Sequence, residues 1–423
     1  MEDRRDSISS KESRRNFLGK IAGIPLAPVL EQLSPGTAIG NTVDPLPLKK
    51  EFDIKGTFIN AAYTHPMSKG SLKAVHTFLD ERMQNGHVKD YDMGADRKIC
   101  MDLFSKMINA DKEELAWVPS TMTGENFIAA ALSLPGSNAR VVTDAYHFHG
   151  SLHFYGELAK QGLEVVVLPP KDNGISYDDL EKAVTPGTKL VAVSSVSTVN
   201  GFQHDLKKVC EIAHAKDALV YADIIHSAGA VPFDVKESGV DFCASATYKW
   251  LMGDFGVGFL YVRKDKLDLL KKTLGGYRQI DHFTSHVFPF ESPGKTVFDS
   301  NSRLDTAGHF EIGTLCNEGV AALKYSLKLL TDIGIDKIQQ YRQPMIDRLQ
   351  QWLPSLGFIP MTRLNSTSPV ISFAFKDADK VWKQKLDAAG VNISVYENRI
   401  RISPSFYNDM DDINRLIDVF AGK

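Results

Sequence analysis

Leu219-Val220-Tyr221-Ala222-Asp223-Ile224-Ile225-His226 is the stretch on which the fold of this chain turns. Four apolar residues run straight into a carboxylate. An acid there is costly to bury unless something cationic meets it. A second run of the same kind, Asp241–Ser245, continues through Ala246-Thr247-Tyr248 to Lys249 and Trp250. A lysine in that position, followed by Gly253, Gly256 and Gly258, is equally expensive without a task. A third, Val141-Val142-Thr143, ends in Asp144-Ala145-Tyr146-His147.

Outward from these, short β-branched runs alternate with helical stretches. Strands are expected at Arg140–Thr143, Glu164–Leu168, Lys189–Val193, Leu219–Ala222, Asp241–Ser245 and Gly258–Val262. Helices are expected at Glu125–Leu134, Gly150–Gln161, Tyr177–Val184 and Leu206–Lys216. Continuously apolar strands fit a mostly parallel sheet buried between helix layers, so the class is α/β. Ligands of such sheets sit at the carboxyl ends of the strands. After Gly275-Gly276 the alternation stops, and a loop-rich stretch runs to about residue 308. Helices follow at Leu315–Leu330 and Ile338–Leu353, then strand, helix, strand, helix from about 364: a smaller α+β C-terminal domain. The expected division is a leader at 1–45, a segment at 46–70 joining the small domain, a large domain at 71–300 and a small one at 301–423.

The 423 residues exceed one compact core, and 43% hydrophobic residues supply the apolar surface for two. A net charge of -3 argues against nucleic acid as a main partner. No apolar run approaches the roughly 20 residues of a membrane span. The four cysteines, Cys100, Cys210, Cys243 and Cys316, form no CxxC pair, against a zinc site or a disulfide framework. Near the N-terminus, Ser13-Arg14-Arg15-Asn16-Phe17-Leu18-Gly19-Lys20 and the weakly apolar stretch after it resemble a twin-arginine export signal. Export to the periplasm or beyond is the expectation; a charged tail on a cytoplasmic protein is the alternative.

Upstream of the three strand ends, Pro119-Ser120-Thr121-Met122-Thr123-Gly124 places hydroxyls at a helix start. Backbone N–H groups there make an anion site. An acid, a lysine, an aromatic ring and an anion cradle match the four needs of pyridoxal phosphate. Its phosphate needs the cradle, its ring nitrogen an acid, its ring a stacking face and its aldehyde an amine of lowered pKa.

The order of these motifs resembles the class V aminotransferases, of pyridoxal-phosphate fold type I, over roughly residues 55 to 423. That group includes cysteine desulfurases, kynureninases and isopenicillin N epimerases. The resemblance implies that Ser120, Thr121 and Met122 hold the phosphate and that His147 stacks on the ring. It implies that Asp223 pairs with the ring nitrogen, that His226 sits beside the oxygen or phosphate side, and that Ser197 or Thr198 lies near the phenolic oxygen. Tyr248 stands where many relatives have a phosphate-binding His, and Lys249 is the Schiff-base lysine. Phe310-Glu311-Ile312-Gly313-Thr314 resembles a segment that lends Thr314 to a neighbouring subunit's phosphate, which implies a homodimer with shared sites. Arg278 and His282 are further candidates to reach across. Arg401, in Arg401-Ile402-Ser403-Pro404, resembles the arginine that grips a substrate carboxylate. Asn60, Tyr63 and His65 are expected at the rim, with Asn60 and His65 as substrate contacts.

No cysteine lies between Val391 and Arg401, where a desulfurase has its nucleophile. Only Cys316, beside Thr314, is left as a candidate. Transamination of an amino acid is therefore the leading expectation, with epimerisation or β-elimination and C–S cleavage as alternatives on the same cofactor. His147, His149 and His153 offer a different class, a metal-dependent hydrolase.

Overall fold

The computed structural model describes residues 45–85 and 93–422. The twin-arginine reading lies outside the described residues.

Seven strands form the large sheet, in the order Leu115–Val118, Gly258–Val262, Phe242–Ala246, Leu219–Asp223, Thr188–Ser194, Arg140–Asp144, Glu164–Leu168. All run parallel except Gly258–Val262, which is antiparallel to both of its neighbours. The six expected strands are present, and Glu164–Leu168 and Gly258–Val262 keep their expected bounds. Each strand divides its apolar residues between the two faces. Val220 and Ala222 join one buried cluster with Val142, Val191 and Cys243. Leu219 and Tyr221 join another with Val141, Leu190 and Phe242. This is period-two packing with helices on both faces. Chain order reverses between Arg140–Asp144 and Thr188–Ser194, where consecutive crossovers leave in opposite directions. Such a reversal opens a crevice at the strand ends.

Two features depart from expectation. Leu115–Val118 is a seventh strand, four fully buried residues paired antiparallel to Gly258–Val262. The stretch read as loop carries an antiparallel hairpin, Ile280–Ser285 with Phe298–Ser302. Its strands are exposed on both faces, so no core-facing alternation marks them.

The helix Asn317–Ile333 sends Val320, Leu323, Leu327 and Leu330 into the large core. The C-terminal sheet has the order Ile359–Pro360, Ile371–Ala374, Arg399–Ile402, Ser394–Tyr396 and is antiparallel throughout. Helices Ala378–Ala389 and Met410–Ala421 cover it through Trp382, Leu386, Ile413 and Leu416. Thr57–Phe58 pairs with Val391–Asn392, and Ile59 enters the same small core. Among the described residues no helix is long and apolar enough to cross a membrane.

Candidate active site

Parallel register sets Ser194, Asp223 and Ala244 side by side. The Phe242–Ala246 strand ends two residues after Ala244, and the turn behind it carries Tyr248, Lys249 and Trp250. Gly229 lets the turn after Asp223 pack against that one. Its φ is +83°, and a Cβ there would meet the Trp250 carbonyl oxygen at 2.5 Å.

Lys249 is 8% exposed. Burial lowers its pKa to about 7, with Arg401 helping and Asp223 opposing. Its Nζ lies 3.0 Å from His226 Nε2. His226 is buried too, and the Trp250 indole N–H donates to its Nδ1 at 3.2 Å. Burial, Lys249 and Arg401 hold His226 well below the usual imidazole range.

Asp223 accepts from the Ile225 N–H at 2.9 Å. Burial pushes its carboxyl up to about 6, while Ile225, His147 and Lys249 pull the other way. No Lys, Arg or His stands in ion-pair contact with it among the described residues. His147 is fully buried between Ser194 Oγ, 2.8 Å from its Nδ1, and Glu125 Oε1, 3.1 Å from its Nε2. Ser151 donates to the other Glu125 oxygen at 2.6 Å. Burial alone would lower the His147 pKa, but Glu125, Asp223 and Asp144 outweigh it and raise it.

Helix Thr121–Ala131 points its N-terminus at these groups. Ser120 caps it by accepting from the Thr123 N–H, and Thr121 Oγ1 accepts from the Ala246 N–H at 2.9 Å. Gly124 permits that approach, since a Cβ there would lie 2.8 Å from the Ala244 Cβ. Ser120, Thr121, Met122, Asp223, Tyr248 and Lys249 line one cavity. Nζ of Lys249 lies 5.9 Å from the Tyr248 ring centroid, and Tyr248 stacks on Phe255.

Arg401 is buried and donates to Thr198 Oγ1 at 2.5 Å and to Ser394 Oγ at 3.1 Å. Its Nε is buried with no hydrogen-bond partner among the described residues. Asn60 accepts from Ser394 Oγ at 2.8 Å, so it stands behind the guanidinium. Thr198 is thus tied to Arg401, while Ser197 donates to the Tyr146 carbonyl.

His65 and Thr314 lie elsewhere. The His65 ring nitrogens contact Pro66 O and Ser405 Oγ, each at 2.9 Å, within a box of Phe52, Trp250, Phe406 and Tyr407. Burial lowers its pKa to about 4, a packing position rather than that of a base. Thr314 bonds Tyr277 at 2.8 Å near the hairpin. Glu125, Ser194 and Trp250 were not expected in the site. Only Glu125 left a trace in the sequence, as an acid four residues into a helix of mostly apolar and hydroxyl residues.

The histidine metal reading fails on geometry. The His147 nitrogens face Glu125 and Ser194 inside the protein, whereas His153 is exposed. No group of three His, Cys, Asp or Glu suited to a metal occurs among the described residues. Cys100, Cys210 and Cys243 are buried, with thiols raised by burial. Cys316 lies beside Glu318 and Gly319, and burial raises it as well.

A lysine kept near neutrality beside a buried acid, in front of a helix N-terminus, is the working arrangement of pyridoxal-phosphate enzymes. Comparison with known proteins agrees. The family model for aminotransferase class-V matches residues 58–416. The uncharacterized aminotransferase YcbU of Bacillus subtilis is 30% identical over 76% of this chain and 82% of its own. A probable cysteine desulfurase of Pyrococcus abyssi is 29% identical over 66% of each chain. The structure of the Escherichia coli cysteine desulfurase CsdA superposes with a TM-score of 0.76 at 20% identity, covering 88% of this chain and 96% of its own. This chain belongs to the class V aminotransferase family. It is an enzyme, and its cofactor is pyridoxal phosphate.

Proposed function

We propose that the protein is an aminotransferase acting on α-amino acids through Lys249. The observation that carries this is the pairing of one near-neutral buried base, Lys249, with one buried arginine, Arg401, that no carboxylate of the described residues neutralises.

The residues fit the cofactor. Asp223 is a buried acid with no ion-pair contact among the described residues, as pairing with a protonated ring nitrogen requires. His147 offers a ring face, and the N-terminus of helix Thr121–Ala131, with Ser120 and Met122, offers donors to a phosphate. Bound pyridoxal phosphate supplies an electron sink for the bond broken at the substrate α-carbon.

The chain does the rest. Arg401 offers its guanidinium to the substrate carboxylate, with Thr198, Ser394 and Asn60 holding its plane. That anchors the α-hydrogen in reach of one face. The lowered pKa leaves Lys249 Nζ unprotonated in good part near neutral pH, able to take the α-proton and to return it elsewhere. One base on one side suits transamination, in which the same group removes and redelivers the proton. Epimerisation needs a second acid besides the lysine, and the nitrogens of His147 are already engaged by Glu125 and Ser194. Persulfide chemistry needs a thiol that the Arg401 segment lacks. C–S cleavage without a thiol is the second reading, favoured by the probable desulfurase among the relatives.

A second copy of the chain completes the proposal. The hairpin exposes Phe283, Phe288, Phe290 and Phe298, an apolar surface a lone subunit would leave in water. Thr314, Arg278 and His282 stand on or beside it and are the groups we assign to a partner's site. Export of the folded enzyme is proposed from the Arg14-Arg15 segment alone. Mixing the holoenzyme with single amino acids tests the reaction: keto acid without ammonia supports it, and ammonia or a thiol favours the lyase.

A further inference from the structure

We propose that Trp250 is a positioning residue: its indole N–H locks His226 in one tautomer, so that His226 presents a donor to Lys249 and keeps that lysine a neutral amine. The proposal rests on Lys249 being the cofactor lysine.

The protons of three side chains can be counted in turn. An indole N–H can only donate. It lies 3.2 Å from His226 Nδ1, so that nitrogen carries the lone pair. A neutral imidazole has one N–H, which must then sit on Nε2. Nε2 is 3.0 Å from Lys249 Nζ. An N–H aimed at Nζ needs a lone pair to accept it, and an ammonium has none. The neutral amine alone completes the chain. Protonating His226 would displace the Trp250 contact, because Nδ1 is the only site left for the proton.

Trp250 is held to this task from behind. The Arg342 guanidinium lies 5.6 Å from its ring centroid and donates to the Ala230 carbonyl at 2.9 Å. Ala61, Ala62, Ala230 and Val370 pack with the indole. Other charges reach Lys249 as well: Asp223 from the adjacent strand end favours the ammonium, and Arg401 from the small sheet disfavours it. The Tyr248 ring lies 5.9 Å from Nζ. Arg401 and Lys249 are the charged groups that bear on His226. The tautomer lock acts on top of these and is removable by one atom.

Trp250→Phe removes that N–H and keeps a ring in the packing. In the apoenzyme, the rate of capture of added pyridoxal phosphate is followed against pH, and the adduct is reduced with borohydride and mapped. The wild type should label at Lys249 with a midpoint near neutrality. In Trp250→Phe, His226 can carry its proton on Nδ1 and accept from the ammonium, so the midpoint should rise by about one pH unit or more. Labelling at Lys249 with an unmoved midpoint overturns the proposal. Labelling at another lysine overturns the cofactor-lysine assignment instead. Nitrogen NMR of histidine-labelled wild-type apoenzyme, with the signal assigned by His226→Gln, needs no folded Trp250 variant. It should report the Nε2–H tautomer alone, and an Nδ1–H signal would contradict the lock.

Discussion

The carboxylate of Glu125 and the Nε2 of His147 stand 3.1 Å apart with neither in contact with solvent. Breaking one partner of a buried charged pair typically costs about 3 kcal/mol or more. Glu125→Gln should therefore lower stability by about that much, read by denaturant melts of the apoenzyme. The His147 pKa is raised in the folded state, so this stabilisation is fully present below the unfolded value and is lost as pH rises through the folded one. The wild-type advantage over Glu125→Gln should shrink from mildly acid toward alkaline pH. A gap that widens with pH would sink the pairing.

Lys249 carries the opposite sign. Its pKa falls from the ordinary 10.5 to about 7. The fold resists its protonation, so the cost is full below about 7 and fades as pH climbs toward the unfolded value. Lys249→Met should thus stabilise the apoenzyme at neutral pH by on the order of a few kcal/mol, with no gain left near pH 10. A stability loss at pH 7 would mean that the lysine is paired rather than strained.

Arg401→Ala should raise KM for α-amino acids by more than about 100-fold, two charged hydrogen bonds being worth about 3 kcal/mol or more. Amines without a carboxylate should be handled as before. Steady-state assays on a matched amino acid and amine separate the cases, and an equal loss for both would remove Arg401 from carboxylate binding.

Phe283 and Phe298 stack across the hairpin at 5.2 Å, both half exposed. Replacing both by Asp should convert a dimer into monomers in sedimentation at micromolar concentration. A wild-type monomer, or a dimer indifferent to the change, would place the interface elsewhere.

The fold was largely legible because the buried strands have no polar face: Leu219–Asp223 and Gly258–Val262 are apolar runs that only a covered sheet accommodates. Leu115–Val118 was missed since four residues after an acidic turn carry too little pattern. The hairpin was missed because exposed strands such as Phe298-Asp299-Ser300-Asn301-Ser302 answer to no core. In the site, Asp223 and Lys249 announced themselves as charges at the ends of apolar strands. Glu125 left only a faint trace, because an acid on a helix is ordinarily a solvated one, and its partner lies 22 residues on. The surroundings of His65 were hidden for a similar reason, its contact with Ser405 being 340 residues distant in the chain.

Whether Lys249 runs a transamination is decided by a single half-reaction. The holoenzyme, free of keto acid, is mixed with one amino acid while visible absorbance and products are followed. A transaminase should lose the yellow band with one keto acid formed per site, and regain it when a second keto acid is added. Ammonia or a thiol released over many turnovers, with the band retained, would contradict it.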